Sequence, residues 1–466
     1  MGNELWQESA TSLAEMIRTG ARTSREIVEA HLERIESVNP LVNAVVEVRP
    51  DEVRREADAA DAAVRAGGPL GPLQGVPFTI KTNIDVAGYA TTQGAVALKD
   101  FMASEDAPTV ERMRAAGAVA LARTNMPDLG LRMNTESALY GATHNPWRHG
   151  LSAGGSSGGE AAAIASGMSP IGLGNDIGGS LRSPAYACGI ASIKPSRGRV
   201  PDRNPSAVID QAINEQIMLA QGVLARHVKD VRRGLEIIMG AHRRDPQSID
   251  APLRGPDVAR RVALVPSPSG GTTDPAIAEG VRVAGRALEE AGYEVEEVEP
   301  PMLFESYLAW AELQLMSMSV IAPLLALVLG DDAKRFIELA DAEFPPFTTE
   351  SLFLMHQSRW RVASEWRQFM TDYPLVVGPT WTQPPFELGF DISDAESSLK
   401  VIEMVRFTLP ANILGLPAAC VPTGIVNGLP TGAQIIGNLL REDLCLDAAQ
   451  VVEESVGVLT PIDPRE

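Results

Sequence analysis

Three segments combine residue types and spacing suited to covalent chemistry on a carbonyl. Ser152 to Glu160 reads SAGGSSGGE, a Gly/Ser-rich turn running into a small-residue helix. Amide N–H groups at a helix N-terminus attract anions, so this turn is either a flexible link or an anion-binding corner. No Gly-Lys-Ser/Thr follows, which excludes a P-loop. Gly174 to Pro184 reads GNDIGGSLRSP and places Ser180 directly after Gly178 and Gly179. Glycines let backbone amides approach a bound group closely. The N–H groups of Ile177, Gly178, Gly179 and Ser180 could thus face an oxyanion, with Ser180 as a nucleophile; a tight surface turn is the plain alternative. Gly75 to Asp85 reads GVPFTIKTNID, and Lys81 closes its apolar run. Such a lysine usually extends to water, but a desolvated one favours its neutral form and becomes a base.

The residues that are missing narrow the chemistry. The six histidines, His31, His144, His149, His227, His242 and His356, fall in no Gly-x-Ser-x-Gly or His-Glu-x-x-His pattern. A serine nucleophile here needs another base, and lysine is the natural candidate.

Together the three segments resemble the amidase signature family, which uses a Ser–cis-Ser–Lys triad. Lys81 matches the lysine of the family's Gly-Val-Pro-x-x-x-Lys segment. Ser156 matches the serine with the unusual cis peptide, and Ser180 of DIGGS matches the nucleophile. They lie 75 and 24 residues apart in order, as the family leads one to expect. TNMPDLGLRMNTESALYGATHNPW (Thr124 to Trp147) and GLPAACVPTG (Gly415 to Gly424) resemble further family segments. The likeness covers roughly residues 10–200 and 405–463 and leaves about 230–400 as the part that varies. Thr82 stands where many members carry an acidic residue. Ala191-Ser192-Ile193 precedes Lys194-Pro195 where Gly-Leu is more usual. Neither departure removes a triad member.

The resemblance implies a mechanism. Neutral Lys81 accepts a proton from Ser156, which accepts one from Ser180, and Ser180 attacks the amide carbonyl. The oxyanion rests against the amides of Ile177, Gly178, Gly179 and Ser180. Ser156 passes the proton to the departing nitrogen, and water releases the acyl group by the same relay. Lysine titrates near 10.4 in water, so burial must provide the neutral base. No metal or organic cofactor is required. Ser157 either orients Lys81 by a hydrogen bond or caps the helix. Asp176 and Arg182 are expected to form an ion pair bracing the loop rather than to contact substrate.

These positions need elements to hold them. The first 66 residues read as helical, with Thr23 and Glu26 as a capping box. Ile27, Val28, His31, Leu32 and Ile35 recur on one face until Asn39-Pro40 stops the pattern. Beyond Gly67-Gly68, short apolar runs alternate with helical stretches. Strands are expected at Val76 to Ile80, Ala118 to Ala122, Pro170 to Gly174, Arg260 to Pro266 and Tyr293 to Val298, then at Leu375 to Val377, Ala418 to Val421 and Gln434 to Ile436. This alternation predicts an α/β fold with helices on both faces of the sheet, which the family likeness makes a mixed one. A single domain over 1–466 is expected, with an N-terminal helical segment of about 1–66 and a variable substrate-pocket region of about 230–400.

Leu313 to Gly330 runs 18 residues without a charge, near the lower limit for a membrane span. Gln314, Ser317, Ser319 and Pro323 interrupt it, so a buried or pocket-lining helix pair is expected. Met302, Phe304, Tyr307, Trp310, Leu313, Met316 and Met318 are candidates for core or pocket wall alike.

Composition bounds the partners. Acidic residues outnumber basic ones by 60 to 40, and a net charge of −20 argues against nucleic acid and anionic membranes. The three cysteines, Cys188, Cys420 and Cys445, are odd in number and widely spaced, suggesting neither disulfides nor zinc. Without a visible secretion signal, a cytoplasmic protein with reduced thiols is expected. The leading reading is an amidase acting on small aryl or aliphatic carboxylic amides. Its rival is the glutamine-hydrolysing subunit of a tRNA-dependent amidotransferase, which works with a partner subunit. A non-catalytic scaffold is the third reading. The partner is a small-molecule amide, and the oligomer is left open, a homodimer included.

Overall fold

The computed structural model describes residues 4–207, 210–341 and 348–465. One mixed sheet of 11 strands runs through it. In chain order these are β1 (Val45–Val48), β2 (Pro77–Lys81), β3 (Val119–Thr124), β4 (Ile171–Asp176), β5 (Ala191–Lys194), β6 (Ala220–Ala225), β7 (Arg261–Leu264), β8 (Glu294–Glu297), β9 (Leu375–Pro379), β10 (Ala418–Val426) and β11 (Leu429–Gly437). Across the sheet the order is β1-β3-β2-β4-β6-β5-β10-β11-β9-β7-β8. β2 runs parallel to both its neighbours, with Lys81 opposite Thr124 and Ile80 opposite Leu173.

Every residue of β2, β3 and β4 is buried, as strands covered on both faces should be. Alternation along them sorts side chains into two cores. Phe78, Ile80, Ile171 and Leu173 join a core shared with helices Ala10–Arg18 and Val228–Ile238. The opposite face of the sheet carries Val119 and Leu121 into a second core with helices Gly158–Ala165 and Arg182–Cys188. Thr79 and Lys81 point to that second face.

The capping box is formed: Thr23 Oγ1 accepts from the Glu26 amide and Glu26 Oε2 from the Thr23 amide, at 3.1 and 2.8 Å. The expected stop at Asn39-Pro40 is not observed. The helix Ser24–Val42 continues through Pro40 and ends at Asn43, whose φ is +53°. Pro40 has no N–H to give the Glu36 carbonyl, but Glu36 is exposed, so water can take that bond. Asn39 Oδ1 then accepts from the Ala44 and Val45 amides and leads the chain into β1.

β10 and β11 are longer than the sequence suggested, because Asn427-Gly428 joins them as a hairpin with both residues at positive φ. The apolar stretch near 313–330 also differs from expectation. It is part of one helix, Leu303–Val328, which passes through Pro323 and is not a pair. By length and composition this helix could cross a membrane. Leu313, Met316 and Ser317 are buried as expected, but Val320 and Leu327 are 80% and 79% exposed.

Candidate active site

Lys81 ends β2 beside the end of β4, so its side chain meets the turn after β4 and the elements packed on the second face. Lys81 Nζ donates to Ser156 Oγ at 2.7 Å and to Asn175 Oδ1 at 2.9 Å. The side chain is fully buried. Burial pushes the ammonium group down to about 7, against the pull of the Asp176 and Glu160 carboxylates. The acidic neighbour that Thr82 does not supply in sequence is thus replaced through space by two other elements.

Ser156 lies in the turn before helix Gly158–Ala165, and the Gly155–Ser156 peptide is cis, as the resemblance implied. Thr135 staples this turn: its Oγ1 accepts from the Gly158 amide at 2.9 Å and donates to the Gly154 carbonyl at 2.8 Å. Ser157 takes the N-cap position but performs neither role expected of it. Its hydroxyl is buried without a partner among the described residues. Asn175 holds the lysine instead, and Thr135 bonds the first helical amide. One turn beyond Ser156, Glu160 accepts from Thr79 and from Thr124, tying the helix to β2 and β3. Burial pushes the Glu160 carboxyl up to about 7.

Ser180 sits in the turn between β4 and helix Arg182–Cys188. The Asp176 carboxylate organises that turn, accepting from the Gly179 and Leu181 amides at 2.7 and 3.0 Å. It also pairs with Arg182 at 2.9 Å, both side chains fully buried. Burial alone would raise the Asp176 carboxyl, but the charge and hydrogen bonds of Arg182 outweigh it and hold it below the usual carboxylate range. Arg182 further donates to the Thr408 carbonyl, Asn412 Oδ1 and Gln434. The expected ion-pair brace is therefore present, anchored in the C-terminal part of the chain. One expectation needs correction. The Gly179 N–H is committed to Asp176, whereas the amides of Ile177, Gly178 and Ser180 take no partner among the described residues. The structure joins Lys81 to Ser156 directly, while Ser156 and Ser180 are not hydrogen-bonded to each other.

Ile177, Gly178 and Ser180 open onto a cavity that is partly open to solvent. Its wall is mainly apolar, built by Leu131, Met133, Trp310, Met318, Phe336 and Ile402. Ser156 lies directly behind Gly130 of this wall, since a Cβ there would sit 3.1 Å from Ser156 Oγ. Trp310 Nε1 donates to the Ile177 carbonyl at 2.7 Å. Its ring presses on Gly178, where any Cβ would come within 2.5 Å of the indole. Two other polar side chains reach the wall, Arg132 and Gln314. The Arg132 guanidinium is tied to Asp391 by two 2.8 Å bonds and also faces Glu136 and Asp332.

Of the apolar candidates, Trp310 and Met318 line this cavity, and Leu313 and Met316 belong to the core. Phe304 and Tyr307 line a separate depression with Glu403 and Arg406, and Met302 precedes the helix at positive φ. His144 and His149 stack on each other with ring centroids 3.7 Å apart and line no part of the cavity. No cluster of three or more His, Cys, Asp or Glu suited to a metal occurs among the described residues. Sequence reasoning missed Asn175, Glu160, Gln314 and Asn412. Asn175 and Glu160 lie inside the two serine motifs and were open to notice, and Gln314 showed only as a polar break in an apolar run; nothing local marks Asn412.

In sequence and fold the chain resembles known amidases. The family described as Amidase matches residues 26–446. An indoleacetamide hydrolase of Bradyrhizobium diazoefficiens is 41% identical over 98% of this chain and 88% of its own. A glutamyl-tRNA(Gln) amidotransferase subunit of Lacticaseibacillus paracasei is 31% identical over 98% of this chain and 99% of its own. The structure of a 6-aminohexanoate cyclic dimer hydrolase superposes with a TM-score of 0.85 at 28% identity, covering 98% of each chain. The chain belongs to the amidase family, whose members named here as hydrolases cleave amide carbon–nitrogen bonds, and it is an amide hydrolase.

Proposed function

We propose that the protein hydrolyses small aryl or arylalkyl carboxamides through an acyl-enzyme on Ser180. The observation that carries this is the buried Lys81–Ser156 contact at 2.7 Å behind a mainly apolar cavity that Ser180 enters. Neutral Lys81 takes the Ser156 proton, Ser156 takes that of Ser180, and Ser180 attacks the carbonyl carbon. The tetrahedral oxyanion lies against the Ile177, Gly178 and Ser180 amides, with Gly179 fixing the turn through Asp176. Each such donor is worth about 3 kcal/mol to the transition state. Ser156 then protonates the leaving nitrogen, and a water molecule repeats the relay to free the acid. No step calls for a metal or organic cofactor.

The substrate class follows from the wall. Apolar surface there gains about 25 cal/mol per Å2 covered, which favours an aryl or medium aliphatic group. A glutamine substrate would bring an α-carboxylate and an ammonium group into the site. The cavity's Arg132 is already bound to carboxylates, so among the described residues the lining offers no spare charge for them. This disfavours the amidotransferase reading, and the free amides facing the cavity disfavour a scaffold. The segment 302–340 supplies Trp310, Gln314, Met318 and Phe336, which supports the middle of the chain as the part that sets substrate choice.

We read the enzyme as cytoplasmic and acting without nucleic acid or membrane, its net charge of −20 opposing both surfaces. The exposed Val320, Leu327, Phe353 and Trp360 support a homodimer, which light scattering tests. Kinetics on phenylacetamide, benzamide, hexanamide, an anilide and glutamine test the substrate class. Higher kcat/KM for the aryl or aliphatic amides is expected, and a preference for glutamine would move the protein to the amidotransferase reading.

A further inference from the structure

We infer that Gln314 is a specificity residue that reads a polar ring atom of the acyl group, one helical turn from the Ser180 turn. The inference rests on the aryl-amide reading above and deepens it. Trp310, Gln314 and Met318 follow one another at four-residue intervals on helix Leu303–Val328, and all three face the cavity. Trp310 fixes the start of this stripe, because its Nε1 is bonded to the Ile177 carbonyl. At 1.5 Å per residue, Gln314 lies about 6 Å further along the axis and Met318 about 12 Å.

The Gln314 carboxamide is held at one end and loose at the other. Its Oε1 accepts from Asn214 Nδ2 at 3.0 Å. Its Nε2 reaches no partner better than Met318 Sδ at 3.6 Å, and a thioether is a weak acceptor. A half-committed amide on an apolar wall is poorly satisfied until a ligand completes it. The pair is also reversible. Asn214 Oδ1 is buried without a partner among the described residues. Turning both amides over would keep their mutual hydrogen bond, now from Gln314 Nε2 to Asn214 Oδ1, and would offer Gln314 Oε1 to the cavity. Gln314 can therefore accept from a ring N–H as well as donate to a ring acceptor.

The spacing selects the ligand. An aromatic ring joined to the carbonyl by one methylene places a ring N–H such as that of indole about 4–5 Å from the carbonyl carbon by ordinary bond lengths. With a hydrogen bond of about 3 Å added, that ring atom can reach across the single turn of about 6 Å between the Trp310 anchor and Gln314. The class so selected is bicyclic heteroaryl acetamides with a polar ring atom, over carbocyclic or alkyl amides of equal size.

The test compares kcat/KM for indole-3-acetamide and 1-benzothiophene-3-acetamide, rings of nearly the same shape that differ in the N–H. Benzothiophene is the more hydrophobic, so simple burial favours it. Wild-type enzyme is expected to favour the indole by about 5- to 30-fold, mostly through KM, since the ring contact is the same in ground and transition states. In Gln314→Leu, and in the shape-conserving Gln314→Met, the ratio should fall to within about twofold of unity. A wild-type ratio near unity, or an indole preference that survives both substitutions, overturns the inference. If wild type hydrolyses neither aryl amide, the aryl-amide reading itself fails and the inference falls with it.

Discussion

Lys81 Nζ and Ser156 Oγ meet at 2.7 Å in a contact that excludes solvent, although 75 residues separate them in the chain. The contact exists because β2 ends beside a helix whose N-terminal turn carries Ser156. Burial favours the neutral form of the lysine, which suits the base role proposed for it.

The pH dependence follows with a definite sign. In the proposed mechanism Lys81 acts when neutral, and its ammonium form fills as pH falls through about 7. The kcat/KM for an aryl amide should thus be level on the alkaline side and drop about tenfold per pH unit on the acid side. A profile that stays flat down to pH 5 would contradict a lysine base.

Asn175 offers an independent handle on the same group. Its Oδ1 accepts from Lys81 at 2.9 Å, so Asn175→Asp puts a carboxylate against the lysine and favours its charged form. The acid limb should move up by about one pH unit or more, with activity at pH 7 reduced and partly recovered at pH 9. An unmoved limb would separate Asn175 from the proton chemistry.

The proposed relay should behave as a unit. Ser180→Ala should abolish turnover with an unchanged circular dichroism spectrum. Ser156→Ala and Lys81→Met should each lower kcat by several orders of magnitude, and the double variant little further. Losses that multiply in the double variant would show that Ser156 and Lys81 act separately.

Much of this site was legible from short motifs, because its parts are local turns. Lys81, Ser156 and Ser180 each stand in a Gly- or Pro-marked segment, and the Asp176–Arg182 brace spans only six residues. Contacts made across the sheet were not legible. Asn412 reaches Asp176 from 236 residues away, and Asn214 meets Gln314 across 100. Ser157 misled because its sequence position suits both a cap and a lysine partner, while Thr135 and Asn175 occupy those roles from elsewhere. In the fold, strand positions followed from apolar runs. The ends of β10 and β11 did not, because Thr423 and Thr431 near the Asn427-Gly428 turn interrupt the apolar pattern while still pairing hydroxyl to hydroxyl. The exposed half of helix Leu303–Val328 is as apolar as its buried half, so composition alone could not separate them.

The buried brace carries a stability prediction. Arg182→Met leaves the Asp176 carboxylate in the interior without its counter-charge, at a cost of about 3–5 kcal/mol. The variant should melt well below wild type, and Asp176→Asn added to it should restore part of the loss. Equal melting of wild type and Arg182→Met would mean the pair does not brace the turn.

The activated serine can be tested directly by treating the protein with a fluorophosphonate and mapping the adduct by peptide mass spectrometry. The expected result is a single phosphonyl group on Ser180, with labelling strongly slowed in Lys81→Met and in Ser156→Ala. An unlabelled protein, an adduct on another serine, or labelling of Ser180 at the wild-type rate in both variants would contradict a Ser180 nucleophile activated through Ser156 by Lys81.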